Sequence, residues 1–274
     1  MSKPELSIET SITPFNYFSV EVGIDYLSNS QIGAWIKCPA RASALMKGEW
    51  NFERSDEMLA GSYVDVALTN PSGMDKFVAD NPQIISSRGP TAGQIKAKFR
   101  PAMAAIEKIK GMPQAFDLLQ GPGVEQQVIL TGKIDGMKFR GMLDAINVDE
   151  GLIVDLKCMA NFDDKWNGSS RVPWYQYWGY WRQATIYREL ARQTYGKEFD
   201  FSLLAVTKQT PPDLQYIKLK GDGAYKIEKI ALESILKEIK HYRDFKDPGD
   251  LPRCLSCDYC RFTKGFDIRT GEYV

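Results

Sequence analysis

The chain has 274 residues, of which 43% are hydrophobic, and its 35 Lys and Arg residues balance its 35 Asp and Glu residues. This length allows one large or two small domains, and the composition supports a sizeable core, which excludes a disordered chain. Because the net charge is zero, a nucleic-acid partner would need a local basic cleft. The sequence has no apolar run long enough to span a membrane and no apolar signal core at its start, so we expect a cytoplasmic protein.

Histidine is nearly absent from the chain, whereas cysteine is not. The single histidine, His241, lies in a charged stretch, and there are five cysteines. A single histidine argues against His-based triads and multi-histidine metal sites. Five cysteines in a reducing compartment indicate metal or redox chemistry more than disulfides. Chemistry in this chain therefore has to come from carboxylates, lysines and thiolates.

The first recognisable helix follows an N-terminal extension, residues 1–26, that shows no clear period. Ser28 or Ser30 is a suitable N-cap for this helix, because a short hydroxyl side chain can accept a free N–H of the first turn. Pro39 should end or kink the helix just after Cys38.

Three further elements precede the central part of the chain. A helix predicted over residues 57–69 carries Asp65 among apolar neighbours, and taken alone this residue is more typical of a solvent-facing acid than of a ligand. A basic helix predicted over residues 91–110 is most simply a solvated face, with phosphate contact as the alternative. A strand predicted over residues 125–131 begins at Glu125, which is either a further metal ligand or a strand-end charge.

Residues 139–158 are typical of a β-hairpin around a turn at residues 148–151. If the turn is centred there, Asp144 and Asp155 face each other, and their Cβ atoms lie roughly 4.5–5.5 Å apart. Two carboxylates this close repel unless a cation neutralises them. Lys157 shares a strand face with Asp155. Two acids and a lysine can hold a divalent metal beside a phosphate, and a solvated cross-strand pair is the alternative. The second strand is too apolar for the surface, which favours the metal site.

The rest of the chain continues an α/β pattern. An aromatic-rich helix is predicted over residues 174–194, in which Gln183 and Tyr187 share a face because they are four residues apart. Two strands and an amphipathic helix are predicted after it, over residues 199–208, 214–220 and 224–245. We therefore predict one α/β domain over residues 1–274, with a mixed central sheet flanked by helices.

Three cysteines are spaced by two residues near the end of the chain, at Cys254, Cys257 and Cys260. This spacing suits either tetrahedral zinc or an iron–sulfur cluster, and both require a fourth ligand. Cys158 should pack inward as a small hydrophobic residue, so Cys38 is the better fourth ligand. A metal bound by this set would close a loop of about 220 residues and so restrict the unfolded chain.

Three short motifs together resemble the signature of the PD-(D/E)XK nucleases of the RecB and exonuclease VIII (RecE) type, which include phage exonucleases. They are Gly141-Met-Leu-Asp144, Val154-Asp-Leu-Lys157 and Gln183-Ala-Thr-Ile-Tyr187. The four cysteines are similar to those of the AddB-like iron–sulfur subset of that family, although their C-terminal trio is more tightly spaced. The resemblance implies a restriction-endonuclease-like core.

The resemblance also implies a role for each matching residue. Asp144, Asp155 and the Leu156 carbonyl would ligate Mg²⁺ or Mn²⁺, and Lys157 would position the attacking water and stabilise charge on the phosphate. Gln183 and Tyr187 would line the groove and orient substrate or metal-bound groups. Asp65 stands where many relatives have a metal-binding histidine, and an oxygen ligand still suits either metal. The cysteines would hold a [4Fe–4S] cluster, with Zn²⁺ as the alternative.

On these grounds we expect a metal-dependent exonuclease that acts on linear DNA ends, in recombination, repair or phage DNA processing. A bacterial or phage-infected cell would be its setting, and a strand-annealing recombination protein its partner. The main alternative is a non-catalytic protein that binds DNA ends and is stabilised by the cysteine-bound metal. Cleavage of single-stranded DNA, of flapped DNA or of RNA, and assembly into a homo-oligomer, also stay open.

Overall fold

The computed structural model describes residues 12–51, 54–245, 247 and 250–265. The chain groups into two compact units. The smaller unit draws its residues from Met1–Phe52, Asp135–Lys138 and Ala231–Val274, and the larger unit from Glu53–Ile134 and Phe139–Ile230. A single domain over the whole chain stays a prediction. No helix in the described part of the chain combines the length and the apolarity that a membrane crossing needs.

A five-stranded sheet forms the centre of the larger unit, in the order β1-β2-β3-β6-β7. Strand β3 pairs antiparallel with β2 and parallel with β6, which in turn pairs antiparallel with β7. The predicted mixed sheet is therefore confirmed. A separate two-stranded ribbon pairs β4 with β5. The strands are β1 Val124–Ile134, β2 Met137–Asn147, β3 Leu152–Met159, β4 Lys165–Trp166, β5 Arg171–Val172, β6 Asp200–Thr207 and β7 Leu214–Leu219.

The turn between β2 and β3 falls where the sequence predicts it. The Gly151 N–H donates to the Val148 carbonyl at 3.2 Å, and Gly151 has a φ of 65°, which a residue without a Cβ adopts at little cost. Ala145 pairs with Val154 in the resulting register. The next residues outward are Asp144 and Asp155, so the predicted opposition of these two acids follows from the observed register.

Helices pack against this sheet in the larger unit, and others build the smaller unit. Helices α4, α6 and α7 share a buried apolar cluster with Val154 and Leu156 of β3, while α9 packs against β1 and β6. Burial of each large apolar side chain there contributes about 1.5–3 kcal/mol. The helices are α1 Val20–Asp25, α2 Asn29–Lys37, α3 Pro39–Met46, α4 Asp56–Thr69, α5 Met74–Asp80, α6 Arg100–Lys110, α7 Pro113–Gln120, α8 Trp174–Tyr177, α9 Tyr180–Tyr195, α10 Asp222–Arg243 and α11 Asp258–Phe262.

The smaller unit confirms the predicted cap of α2. Ser28 is the N-cap, its hydroxyl accepts the Gln31 N–H, and the Gln31 side chain accepts the Ser28 N–H at 2.9 Å. This reciprocal capping box satisfies two backbone donors that a helix start leaves free. The helix ends at Lys37, and Pro39 begins α3. Cys38 therefore lies at the junction of the two helices.

Two predicted helices are shorter in the structure than the sequence pattern indicates. The basic α-helix predicted over residues 91–110 begins only at Arg100, where Pro101 suits the first turn. Of the residues before it, Ile95 forms a bridge with Ile85 and Ala97–Phe99 form a 3₁₀ turn. The helix predicted over residues 174–194 is divided into α8 and α9. Gly179 lies between them in the left-handed region, with a φ of 71°, and so interrupts the helical path.

Candidate active site

The β2–β3 hairpin brings two acidic side chains together inside the larger unit. Asp144 Oδ2 accepts the Leu156 N–H at 2.7 Å. Asp155 is only 2% exposed, and its Oδ1 accepts a hydrogen bond from Gln183 Nε2 of α9 at 2.8 Å. Burial raises the pKa of both carboxyls. The negative charges of Asp65 and Asp155, which lie close to Asp144, raise the pKa of Asp144 further. The hairpin thus holds two carboxylates that need a cation.

Lys157 is the cation that the structure places beside them. Its Nζ lies 2.5 Å from Asp155 Oδ2, and its ammonium lies 4.9 Å from the centre of the Tyr180 ring. Burial acts to lower the pKa of Lys157, but the neighbouring Asp155 and Tyr180 outweigh it, so the pKa is raised and the side chain stays charged. Strand alternation directs Lys157 and Asp155 to the same face, as the sequence predicts.

Asp65 of α4 belongs to the same electrostatic cluster. Burial raises its pKa to about 6, with Thr69 and Lys157 acting in the opposite direction and Asp155 adding to the rise. The Thr69 hydroxyl lies one helical turn further on, 3.1 Å from Asp65 Oδ1 and 2.9 Å from the Asp65 carbonyl. Gln127 of β1 donates from its side-chain amide to that hydroxyl at 2.7 Å. A polar chain from β1 therefore reaches the third carboxylate.

These residues fit a hard divalent cation. Three carboxyls whose pKa values are raised by burial, those of Asp65, Asp144 and Asp155, share the ammonium of Lys157, which lies 2.5 Å from Asp155 Oδ2. An anionic oxygen in such surroundings is costly without a compensating charge. Carboxylate oxygens are the ligands that Mg²⁺ and Mn²⁺ prefer. The oxygens of Asp65, Asp144 and Asp155 could therefore hold either metal beside Lys157.

Glu125 and Leu156, the other two predicted ligands, occupy different surroundings. Glu125 is exposed on β1, where its charge acts on the hydroxyl of Tyr195. Leu156 lies between Asp155 and Lys157, and its N–H holds Asp144. Ligation by the Glu125 carboxylate and by the Leu156 carbonyl stay predictions.

The four predicted cysteine ligands meet in the smaller unit. Cys38 Sγ lies 3.5 Å from Cys260 Sγ and 3.9 Å from Cys257 Sγ, and Cys254 Sγ lies 3.9 Å from Cys260 Sγ. In the described part of the chain, these four cysteines form the only group of three or more Cys, His, Asp or Glu side chains whose ligand atoms all lie within 4.8 Å of one another. The site carboxylates are more widely spread. Four thiols in this arrangement could bind a metal.

Backbone N–H groups point at these sulfurs. The Cys257 N–H donates to Cys254 Sγ at 3.3 Å, and the Cys260 N–H donates to Cys257 Sγ at 3.4 Å. The backbone donors near Cys254 lower the pKa of its thiol to about 6. Such donors stabilise thiolates, the form of cysteine that ligates metals.

Comparison with known proteins places this fold in a family. The family model described as a PDDEXK-like domain of unknown function (DUF3799) matches residues 28–263. The chain belongs to this PDDEXK-like family. A crystal structure of a protein from Eubacterium rectale, described as a "putative exonuclease", superposes with a TM-score of 0.85 at 30% identity, over 94% of this chain and 95% of that one. The predicted superfamily and its restriction-endonuclease-like core are thereby confirmed.

Two other comparisons add nothing to this assignment. The match to the structure of SSO0001 spans 82% of this chain and 92% of that protein, but its TM-score of 0.32 at 13% identity supports no argument. The search of curated protein sequences gives no match.

In this PDDEXK-like domain, Tyr187 lies beside the motif that carries Asp144. A Cβ added to Gly141 would come within 2.9 Å of the Tyr187 ring, so the glycine of the Gly141-Met-Leu-Asp144 motif makes room for that ring. Tyr187 also packs edge-on against Phe201 of β6, with ring centres 6.3 Å apart. The role of Tyr187 in orienting substrate stays a prediction. Its contacts with Gly141 and Phe201 are both contacts with the sheet.

Three residues of this site were missed by the sequence reasoning. Tyr180 precedes Gln183 by three residues and Thr69 follows Asp65 by four, so helical spacing could have found both. Gln127 carries no such signal, because its contact joins a strand to a distant helix.

Proposed function

We propose that the protein is a metal-dependent deoxyribonuclease that hydrolyses phosphodiester bonds at the ends of linear DNA. One observation carries the proposal above all: Asp155 is buried between Lys157 and Gln183, with Asp144 opposite it across the hairpin. Membership of the PDDEXK-like family supports nuclease chemistry, and the name of the Eubacterium rectale protein supports action on ends.

The side chains would divide the work as follows. Asp65, Asp144 and Asp155 would hold Mg²⁺ or Mn²⁺, which when bound polarises a phosphate oxygen and lowers the pKa of water. Gln183 would fix the orientation of Asp155 through the 2.8 Å hydrogen bond to Oδ1. Lys157 would add a fixed positive charge where negative charge grows on the phosphate. Because the pKa of Lys157 is raised, it would act as a charge and not as a proton acceptor.

The cysteine site would hold a metal that stabilises the smaller unit. The family resemblance favours a [4Fe–4S] cluster, whose irons separate the cysteine sulfurs. Three sulfur pairs lie 3.5–3.9 Å apart and all four sulfurs lie within 4.8 Å of one another. The three short distances suit a single zinc, because Zn–S bonds of about 2.3 Å place tetrahedral sulfurs about 3.8 Å apart. Metal and sulfide analysis of protein purified without oxygen separates the two, since only the cluster contains inorganic sulfide.

The test of nuclease function uses end-labelled linear duplex in Mg²⁺ and in Mn²⁺, with protein purified without oxygen. We expect the wild-type protein to release label and Asp155→Ala to lose at least about 1,000-fold in rate, which corresponds to about 4 kcal/mol of transition-state stabilisation. Asp80→Asn is the matched control, because Asp80 forms an exposed i,i+4 ion pair with Lys76 and should retain full activity.

The outcomes separate the proposal from its alternatives. Release of label by Asp155→Ala at the wild-type rate would contradict the proposal. DNA binding without release in either metal would favour the non-catalytic end-binding protein, whose best support is Asp65 in place of the usual histidine. Circular, flapped and RNA substrates in the same assay test action on ends and on DNA. A strand-annealing partner, a homo-oligomer and a cytoplasmic location stay predictions.

A further inference from the structure

The β4–β5 ribbon displays an aromatic and a cationic side chain next to each other. Trp166 and Arg171 are directly paired across the ribbon, so their side chains lie on the same face. Both are exposed, Trp166 to 61%. A tryptophan this exposed buries little apolar surface on folding, so the packing of the larger unit does not explain its position.

The ribbon has a fixed shape. At its tip, Asn167 Oδ1 accepts the N–H groups of Ser169 and Ser170 at 3.0 and 2.9 Å, and the Asn167 N–H donates to the Ser170 carbonyl at 3.0 Å. Below the tip, Lys165 donates to Asn161 Oδ1 at 2.9 Å. A surface that is already ordered loses little conformational entropy when it binds a ligand.

Two more exposed aromatic side chains lie on the neighbouring segment. Helix α8 packs against β4, and Tyr177 and the adjacent Trp178 meet edge-to-face with ring centres 5.0 Å apart. Each of these two side chains is more than two-fifths exposed. We define Trp166, Arg171, Tyr177 and Trp178 as the aromatic ribbon surface.

Three packed rings run from the start of the ribbon to Lys157. Phe162, just before the ribbon, stacks on Trp174 of α8 with ring centres 5.4 Å apart. Trp174 meets Tyr180 edge-on at 5.8 Å, and the Tyr180 ring lies under the Lys157 ammonium at 4.9 Å. The segments that carry the aromatic ribbon surface are therefore connected through two ring contacts to the lysine that would face the scissile phosphate.

We propose that the aromatic ribbon surface binds unpaired bases at the end of the nucleic-acid substrate and so directs a single strand to Lys157. This inference rests on the proposed nuclease function and names the strand form that the site takes. Exposed aromatic side chains stack on bases, and neighbouring cations contact phosphates, in proteins that bind single strands. Paired bases inside a duplex are already stacked and do not offer their faces.

The local charges are compatible with this ligand. Lys165 and Arg171 lie on the ribbon, and Asp163 and Asp164 immediately precede it. The two acids lie before β4, whereas Arg171 lies beside Trp166. Stacking of bases, with a phosphate contact from Arg171, would thus contribute more to affinity than overall charge.

The experiment measures binding without cleavage. Wild-type protein in EDTA is titrated into a fluorescein-labelled single strand and a blunt duplex, and a 2-aminopurine at the end of the single strand reports stacking. We expect Trp166→Ala and Trp178→Ala each to weaken single-strand binding by about 5- to 150-fold, as loss of one stacked base would. The wild-type protein should quench 2-aminopurine, and Trp166→Phe should restore most of the affinity.

Phe15→Ala is the matched control, because Phe15 is 90% exposed and lies in the smaller unit, and it should bind like the wild type. Single-strand affinity within twofold of the wild type in both tryptophan variants would overturn the inference. An equal loss for the blunt duplex would overturn it as well, since that indicates a general nucleic-acid contact. Failure of the nuclease proposal is seen separately, as absence of cleavage by wild-type protein in Mg²⁺ and Mn²⁺.

Discussion

The side-chain amide of Gln127 donates a hydrogen bond of 2.7 Å to the hydroxyl of Thr69. Because this donation occupies the hydroxyl oxygen, the hydroxyl proton is directed toward Asp65, whose carbonyl at 2.9 Å and Oδ1 at 3.1 Å share it. One oxygen of the Asp65 carboxylate is thereby held, which leaves the other for a metal. Gln127 achieves this with a φ of 51°, in the left-handed region that costs a non-glycine residue energy.

Loss of this hydrogen-bonded chain should weaken metal binding more than stability. Thr69→Val keeps the shape of the side chain but removes the hydroxyl, and we expect the Kd for Mn²⁺ to rise about 10- to 100-fold, as for other residues that orient metal ligands. Gln127→Glu should have a similar effect, because the new carboxylate would itself accept the Thr69 proton. Electron paramagnetic resonance of free Mn²⁺ measures the Kd.

Ser72→Ala serves as the control for this prediction, because Ser72 is an exposed hydroxyl bonded to Asn70. Its Kd should match that of the wild type. Wild-type Mn²⁺ affinity in both Thr69→Val and Gln127→Glu would show that Asp65 does not depend on the chain. Saturating Mn²⁺ should restore cleavage in both variants, which a folding defect would not allow.

The Tyr180 ring should tune Lys157 through its face and not through its hydroxyl. Tyr180→Leu removes the ring beneath the ammonium, and we expect kcat to fall about 2- to 30-fold, in line with a cation–π contact of 0.5–2 kcal/mol. Tyr180→Phe keeps the ring and loses only the hydroxyl contact to Met159 Sδ at 3.7 Å, so its kcat should stay close to the wild-type value. Single-turnover cleavage kinetics distinguish the two variants.

Local periodicity explains why much of the site could be predicted from the sequence. A short turn fixes which residues face each other, so its position was enough to place Asp144 beside Asp155. Alternation along a strand then placed Lys157 on the face of Asp155, and helical spacing placed Gln183 and Tyr187 on one side of α9. Each of these relationships depends on residues that are close in sequence or joined by one tight turn.

The parts that could not be predicted depend on contacts between distant segments. Gln127 reaches Thr69 across 58 positions, through a left-handed residue inside β1 that no strand pattern indicates. The β4–β5 ribbon has only two residues in each strand, too few for an alternation to show. Glycine at 179 could have indicated the break between α8 and α9, since a left-handed residue commonly ends a helix.

Metal affinity should fall at low pH. Burial raises the pKa of Asp65 to about 6 and raises the pKa of Asp144 and Asp155, and a carboxylate must lose its proton to ligate a metal. Each proton that the metal must displace should therefore weaken the Mn²⁺ affinity by about tenfold for every pH unit below about 6. Calorimetric titration at pH 5.0, 6.0 and 7.5 measures this slope, and a flat profile would contradict it.

The stability of the metal-free protein should change in the opposite sense. Because the pKa of Asp65 is higher in the folded protein than in the unfolded chain, the folded state binds more protons, and this contribution is complete below about pH 4 and lost as the pH rises through about 6. In EDTA, the stability of Asp65→Asn relative to that of the wild type should therefore be higher at pH 7.5 than at pH 5. Thermal unfolding at both values, with Asp80→Asn as control, tests the sign.

The cysteine site should stabilise the smaller unit by linking segments far apart in the chain. Cys38 and Cys260 are separated by 222 positions, and closing a loop of that length restricts the unfolded chain by about 5 kcal/mol in the chain-entropy model. We expect Cys38→Ser and Cys260→Ser to lose the bound metal and to lower Tm by about 10 °C or more. Cys158→Ala is the control, because this thiol packs against the core and burial raises its pKa to about 11. Metal content and Tm that stay at wild-type values in Cys38→Ser would show that the four thiols do not form a metal site.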